Sequence, residues 1–178
     1  MKWILFLIFL GGTFWMLNIM GKTGAPLKTV ETPRQIVNLE LAFTKQKTDS
    51  VIGIWEKKNV LSDAVNNTHW DFLFIFFYTG LFFLICKEMA VRFYEKRNWF
   101  RTGWFFAKLS LVAGIFDVAE NLLMLQSLNG NRSALISFCT GLFASIKFAI
   151  LILAALFVVT AGVFWIFEKL TRKNIKQG

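Results

Sequence analysis

The chain has 178 residues, of which 56% are hydrophobic and 17% aromatic, with 21 Phe, 7 Trp and 1 His. Ordinary soluble chains are ~45–50% apolar; a soluble domain of this length cannot hide so much apolar surface, and one His leaves no multi-His metal site. The net charge is +9, from 20 Lys and Arg against 11 Asp and Glu, and because the basic residues flank apolar runs this reads as membrane orientation and anionic lipid, not nucleic acid.

The first apolar run, Trp3 to Met20, predicts a transmembrane helix over 1–20. Lys2 followed by Trp3–Leu10 also fits a signal peptide, but apolar character continues through Phe14, Trp15 and Leu17 and no small-residue cleavage site follows. A retained anchor is the better reading. Residues 21–69 then form an extracytoplasmic cap of short helices. Thr32-Pro33 reads as a helix cap followed by Pro in the first turn, with Ile36, Val37, Leu39, Leu41 and Phe43 on an apolar face. A second short helix is expected over Asp49–Lys58 and a third from Ser62 into Asn66. Each is too short to stand alone, so each must dock on an apolar surface, the mouth of a bundle or the lipid headgroup layer.

The run Trp70–Cys86 predicts a transmembrane helix over 70–92, followed by a basic loop at 93–102. Trp104–Leu128 predicts another over 103–128, and after the turn Asn129-Gly130-Asn131-Arg132 the run Ala134–Phe167 predicts the last over 133–168. At 1.5 Å per residue that final run is about 50 Å long, so one end projects beyond a bilayer core of ~30 Å. A basic tail closes the chain at 169–178. The expected fold is all-α and integral to the membrane, an antiparallel bundle of four transmembrane helices under a short helical cap. Lys87, Arg92, Lys96, Arg97 and Arg101 between runs two and three, Lys169, Arg172, Lys173 and Lys176 in the tail, and Lys2 at the start put both termini in the cytoplasm. Cys86 and Cys139 fall near opposite faces in this topology and are not expected to bridge.

Ionisable residues inside apolar runs are costly and usually face a bundle interior with a partner. Asp117, Glu120 and Asn121 share one helical face, with Ser110, Gly114 and Met124 continuing the stripe. Lys147 lies in the final run with Ser137, Thr140, Gly141 and Ala144 on its face. A close hairpin along Ser110/Gly114 against Gly141/Ala144 is expected, with an Asp117–Lys147 or Glu120–Lys147 ion pair. Two carboxylates beside one ammonium leave one in need of a proton or another cation. Asp71 and Tyr78 share a face of run two, and Glu40 sits in the middle of the apolar face of the first cap helix. Glu40, Asp71, Tyr78, Asp117, Glu120, Asn121 and Lys147 therefore form a candidate ligand-binding pocket near the outer leaflet.

Plainer readings exist for these residues. Asp71, like Asn66, suits a helix N-cap, Tyr78 suits packing with its hydroxyl on a carbonyl, and the charged group suits polar glue between helices. His69 reads as a surface residue. The glycosylation tripeptides Asn66-Asn67-Thr68 and Asn131-Arg132-Ser133 are common by chance. No zincin, nucleophile-elbow, phosphate-loop or dinucleotide motif is present. No metal site is assigned, and no cofactor is indicated. Oxygen ligands suit a hard divalent cation, but Lys147 would have to point elsewhere.

The segments Thr32-Pro33-x-x-Ile36-Val37-x-Leu39-Glu40-x-Ala42, Trp55, Asp71-Phe72-x-Phe74-x-x-x-Tyr78 and Asp117-x-x-Glu120-Asn121 resemble a family of small bacterial four-helix membrane proteins without an assigned activity. The resemblance covers most of the chain through short motifs. It implies that Glu40, Trp55, Asp71, Tyr78, Asp117, Glu120 and Asn121 form one unit; it does not include Lys147, and it implies a bacterial inner membrane.

The leading expectation is a small membrane protein whose outward-facing polar pocket binds a small ligand, ion or lipid headgroup. A second is a membrane enzyme acting on a lipid or lipid-linked substrate, with Asp117 or Glu120 as general acid/base and Lys147 or Asn121 stabilising charge. A third is a structural subunit of a membrane complex. Expected partners are membrane lipids and, through homo-oligomerisation or a larger complex, other membrane proteins; nucleic acid is not among them.

Overall fold

The computed structural model describes residues 2–175. They are helical, in the order α1 (Lys2–Gly24), α2 (Val37–Glu40), α3 (Lys45–Lys57), α4 (Leu61–Arg92), α5 (Arg97–Leu128) and α6 (Ala134–Ile175), with a 3-10 turn at Ala25–Leu27. Among the described residues four helices, α1, α4, α5 and α6, are long and apolar enough to cross a membrane. At 1.5 Å per residue the 42-residue α6 is about 63 Å long. It absorbs the expected tail as far as Ile175; Lys176 lies outside the described residues, as do the side chains of Lys2, Arg172 and Lys173.

The long helices pack where small residues let them approach. A Cβ on Gly103 would lie 2.7 Å from the Ala90 methyl, and one on Gly114 would lie 2.8 Å from Thr79 Oγ1, so α5 meets α4 at both places without side chains between them. The ring of Phe77 fills the space above Gly12 and that of Phe9 the space above Gly80, which seats α1 on α4. Asn67 on α4 adds hydrogen bonds to the Met20 carbonyl (3.2 Å) and Thr23 Oγ1 (2.7 Å). Along α5 and α6, Trp99 stacks on Phe164, Phe106 on Phe157, and Phe116 meets Phe143. Arg92 lies over the Trp165 ring at 4.8 Å.

Two apolar cores result. Leu27, Leu39, Ile52, Trp55, Ala64, Met124 and Leu128 bury the cap against the ends of α4 and α5. Cys86, Phe93, Ala107, Ala154, Phe157 and Ala161 form the other, at the opposite end of the same helices. Cys86 and Cys139 are both free thiols.

The cap departs from expectation in three places. The helix expected to begin at Pro33 forms only the single turn α2, because Gln35 adopts a left-handed φ of 54° and Phe43 one of 58°. Thr32 does not cap it. Its hydroxyl donates to the Leu27 carbonyl at 2.8 Å, and the buried Trp55 indole donates to the same carbonyl at 3.1 Å and to Thr32 Oγ1 at 3.3 Å. The helix expected over Asp49–Lys58 begins earlier, at Lys45, since Thr44 accepts from the Lys47 amide as an N-cap. The third short helix, from Ser62 into Asn66, is the beginning of α4, which starts nine residues before the expected boundary at 70.

Candidate functional site

The polar residues lie between the two apolar cores. Asp117 and Glu120 are three apart on α5, so both point one way, and across from them α6 brings in Lys147. Lys147 Nζ stands 2.6 Å from Asp117 Oδ1 and 2.8 Å from Glu120 Oε2, with Glu40 Oε2 from the cap at 3.6 Å. The alternative pairings expected from sequence are therefore both made, and a third carboxylate joins them. The Glu120 contact is a close ion pair on Oε2, which leaves Oε1 open. The other Asp117 oxygen is taken by α4: Tyr78 O–H donates to Oδ2 at 2.5 Å. Asn121 Nδ2 donates to Asp71 Oδ2 at 2.7 Å, and Asp71 lies within electrostatic reach of Asp117, Lys147 and Glu40.

The cluster is sealed. Glu120 and Asn121 are fully buried, and Asp117, Lys147 and Glu40 are at most 5% exposed. Acceptors are left over: Glu120 Oε1 and Asn121 Oδ1 have no hydrogen-bond partner, and Glu40 Oε2 has only Lys147 at 3.6 Å. Buried polar atoms are nearly always paired. Lys147, with three protons to give, directs its strongest contacts at Asp117 and Glu120. Burial pushes the Glu40 carboxyl above its ordinary value of 4.5; the Asp117 charge pushes the same way, and Lys147 opposes both.

All seven candidate residues are thus drawn into one connected region. Asp71 is the eleventh residue of α4 and does not cap that helix; Asn66 is interior too. Tyr78 bonds a carboxylate, not a carbonyl. Two details of the expected hairpin are different. Gly114 faces Thr79 on α4, and Gly141 faces the cap, where its missing side chain seats the Phe43 ring at 2.7 Å from a built Cβ. Ser110 bonds its own helix at the Ala107 carbonyl. Among the described residues no group of three or more His, Cys, Asp or Glu is arranged to hold a metal ion, and Lys147 Nζ stands among the Asp117, Glu120 and Glu40 carboxylates.

Sequence reasoning missed Arg132, whose guanidinium pairs with Glu56 at 2.5 Å and lies 3.9 Å from Asp49, tying the α5–α6 turn to α3. It also missed Ser137, buried with its hydroxyl unpaired. Ser137 had a signal, its place on the Lys147 face; Arg132 had none beyond its charge. Comparison of the chain with family models, with characterised proteins and with solved structures finds no match.

Proposed function

We propose that this chain is an integral membrane protein, an antiparallel bundle of four transmembrane helices with both ends cytoplasmic, whose capped polar cluster binds a small hydrogen-bond-donating ligand: a free ion, a small molecule or a lipid headgroup. The contact registers along α1/α4, α4/α5 and α5/α6 support the antiparallel arrangement, the cap core supports a lid over one end of α4 and α5, and the Lys and Arg gathered at the other end support placing that lid outside the cytoplasm. The observation that carries the ligand is the surplus of acceptors. Glu40, Asp117 and Glu120 offer three carboxylates to the one ammonium of Lys147, Asp71 adds a fourth beside them on Asn121, and Glu120 Oε1 and Asn121 Oδ1 stay unpaired. A group that fills the site must bring protons or positive charge, which excludes phosphate and carboxylate ligands. Glu40, Asp117, Glu120, Asn121 and Lys147 are buried, while Asp71 is only half-buried and marks the side from which a ligand would enter.

Native mass spectrometry of gently extracted protein tests this. Wild type is expected to carry a bound species that Glu120→Gln loses while helix content by circular dichroism stays the same. Equal mass and equal retention in both would reject a ligand at this cluster.

The sealed burial of Lys147, Asp117 and Glu120 favours a second reading, in which the cluster is a lock that fixes the register of α4, α5, α6 and the cap. Under it, Glu120→Gln changes stability and no ligand is found.

A further inference from the structure

The polar cluster has two sides. On one, the Lys147 ammonium stands among Asp117 at 2.6 Å, Glu120 at 2.8 Å and Glu40 at 3.6 Å. On the other, Asp71 of α4 meets Asn121 of α5, whose Nδ2 donates to Asp71 Oδ2 at 2.7 Å. Among the described residues no Lys or Arg forms an ion pair with Asp71, and Lys147 acts on it only at a distance.

Two observations mark this second side as a place for a ligand. Asn121 is fully buried, and its Oδ1 has no hydrogen-bond partner although the nitrogen of the same amide is engaged. A buried amide oxygen without a donor is rare and costly. Asp71, which gives Oδ2 to that amide, is the one member of the seven that is not buried. Its neighbour Trp70 is 37% exposed at the start of the apolar run Trp70–Cys86, the level at which an aromatic side chain meets lipid headgroups. The way in therefore lies at headgroup depth on the cap side, not in the middle of a bilayer.

On the reading of the cluster as a binding site, on which this rests, we propose that its ligand is a primary ammonium group seated between Asp71 and Asn121 Oδ1, carried by the ethanolamine head of a phospholipid or by a small free amine. An ammonium brings positive charge beside acids that outnumber Lys147, and it brings N–H donors for the Asp71 carboxylate and the Asn121 oxygen. Lys147 is the chain's own example of an ammonium held in this cluster. A quaternary ammonium brings charge without N–H and leaves the Asn121 oxygen unpaired. A metal ion needs acids grouped about one point, and the described residues form no such group. Only the ammonium of a lipid enters; its phosphate stays in the headgroup layer.

The test uses the full chain in nanodiscs of phosphatidylethanolamine, its N,N-dimethyl form or phosphatidylcholine, which share phosphate and hydrocarbon and lose N–H donors in that order. Native mass spectrometry is expected to find wild type retaining the first lipid, holding the second weakly and releasing the third. Asp71→Asn, at a half-buried position and with the side-chain shape kept, is expected to cut that retention about tenfold, the loss of one charged hydrogen bond. Glu95→Gln, exposed beyond the opposite end of α4, leaves it unchanged. Added ethanolamine, with choline as comparison, separates the two carriers. Lipid retention that ethanolamine does not disturb assigns the phospholipid; a rise in melting temperature with ethanolamine but not choline, without preference among the lipids, assigns the free amine. Equal retention of the three lipids with no ethanolamine effect, or a signal unchanged by Asp71→Asn, overturns the ammonium. A bound species of another kind that Glu120→Gln releases overturns the ammonium and leaves the binding site standing, whereas no bound species and no ethanolamine effect overturns both.

Discussion

Tyr78 and Lys147 hold the two oxygens of one carboxylate, at 2.5 Å on Asp117 Oδ2 and 2.6 Å on Oδ1. That shared acid joins α4, α5 and α6 through a single side chain. Lys147 divides its remaining reach between Glu120 Oε2 at 2.8 Å and Glu40 Oε2 at 3.6 Å, and Glu120 Oε1 is left with acceptor capacity unspent.

Removing the ammonium leaves the acids buried without counter-charge. Lys147→Met is expected to lower stability by about 3–5 kcal/mol, the usual cost of breaking a buried ion pair. Adding Asp117→Asn is expected to restore most of it, as neighbours in one network are not additive. Denaturant unfolding in detergent micelles measures both; a double variant as unstable as the sum of the two singles would contradict the pairing.

Glu40 gives the pH dependence a sign. Its folded carboxyl sits above the ordinary 4.5 because of burial first and the Asp117 charge second, so the folded state holds this proton more tightly than the unfolded one. Its contribution is complete below the unfolded value and is lost as pH rises through the raised folded value. Glu40→Gln is expected to flatten the loss of stability above pH ~4.5. Melting temperature followed from pH 4 upward reads this out, and an unchanged slope would mean that Glu40 does not titrate in that range.

The cap rests on Gly141, where Phe43 sits with a left-handed backbone. Gly141→Leu fills that seat. Hydrogen exchange at 36–43 is expected to speed up markedly while exchange in the middle of α4 and α5 stays slow. Uniform protection in the variant would show that Phe43 does not anchor the cap.

Trp55 and Arg132 offer a contrast between buried and exposed contacts. Trp55→Phe strips the indole donor from the Leu27 carbonyl and Thr32 in a fully buried place and is expected to cost ~1–3 kcal/mol. Arg132→Ala breaks partly exposed pairs to Glu56 and Asp49 and is expected to cost no more than ~1 kcal/mol. Equal costs would remove the distinction.

The apolar runs made the long helices legible, because a window of uninterrupted apolar residues has few other homes. The spacing of Asp117, Glu120 and Asn121 made the charged face legible for the same reason of local geometry. Glu40 was found by its odd place on an apolar face, although the helix used to place it proved to be one turn long. What could not be read was set by distant contacts. Leu61 to His69 reads as a separate short cap helix ending near Asn66, yet α4 runs through it because Ala64, Asn67 and Thr68 are buried, Asn67 against α1. Pro33 looks like a helix start, yet Thr32 is claimed by Leu27 and Trp55. Gly114 and Gly141 were read as seats for each other, and only the packed structure shows that α4 and the cap occupy them.

The account turns on the cap carrying Glu40 onto the α5–α6 acids and Lys147. A cysteine pair measures that directly. A Cβ on Gly141 lies 2.7 Å from Phe43 Cγ, so cysteines at the two positions fall near the ~3.5–4.5 Å Cβ separation of a disulfide. In a chain with Cys86→Ala and Cys139→Ala, Phe43→Cys with Gly141→Cys should cross-link rapidly under mild oxidant, and Val30→Cys with Gly141→Cys, from a position 94% exposed, should not. Slow or absent cross-linking of the first pair, or equal rates for both, would contradict the placement of the cap over the cluster.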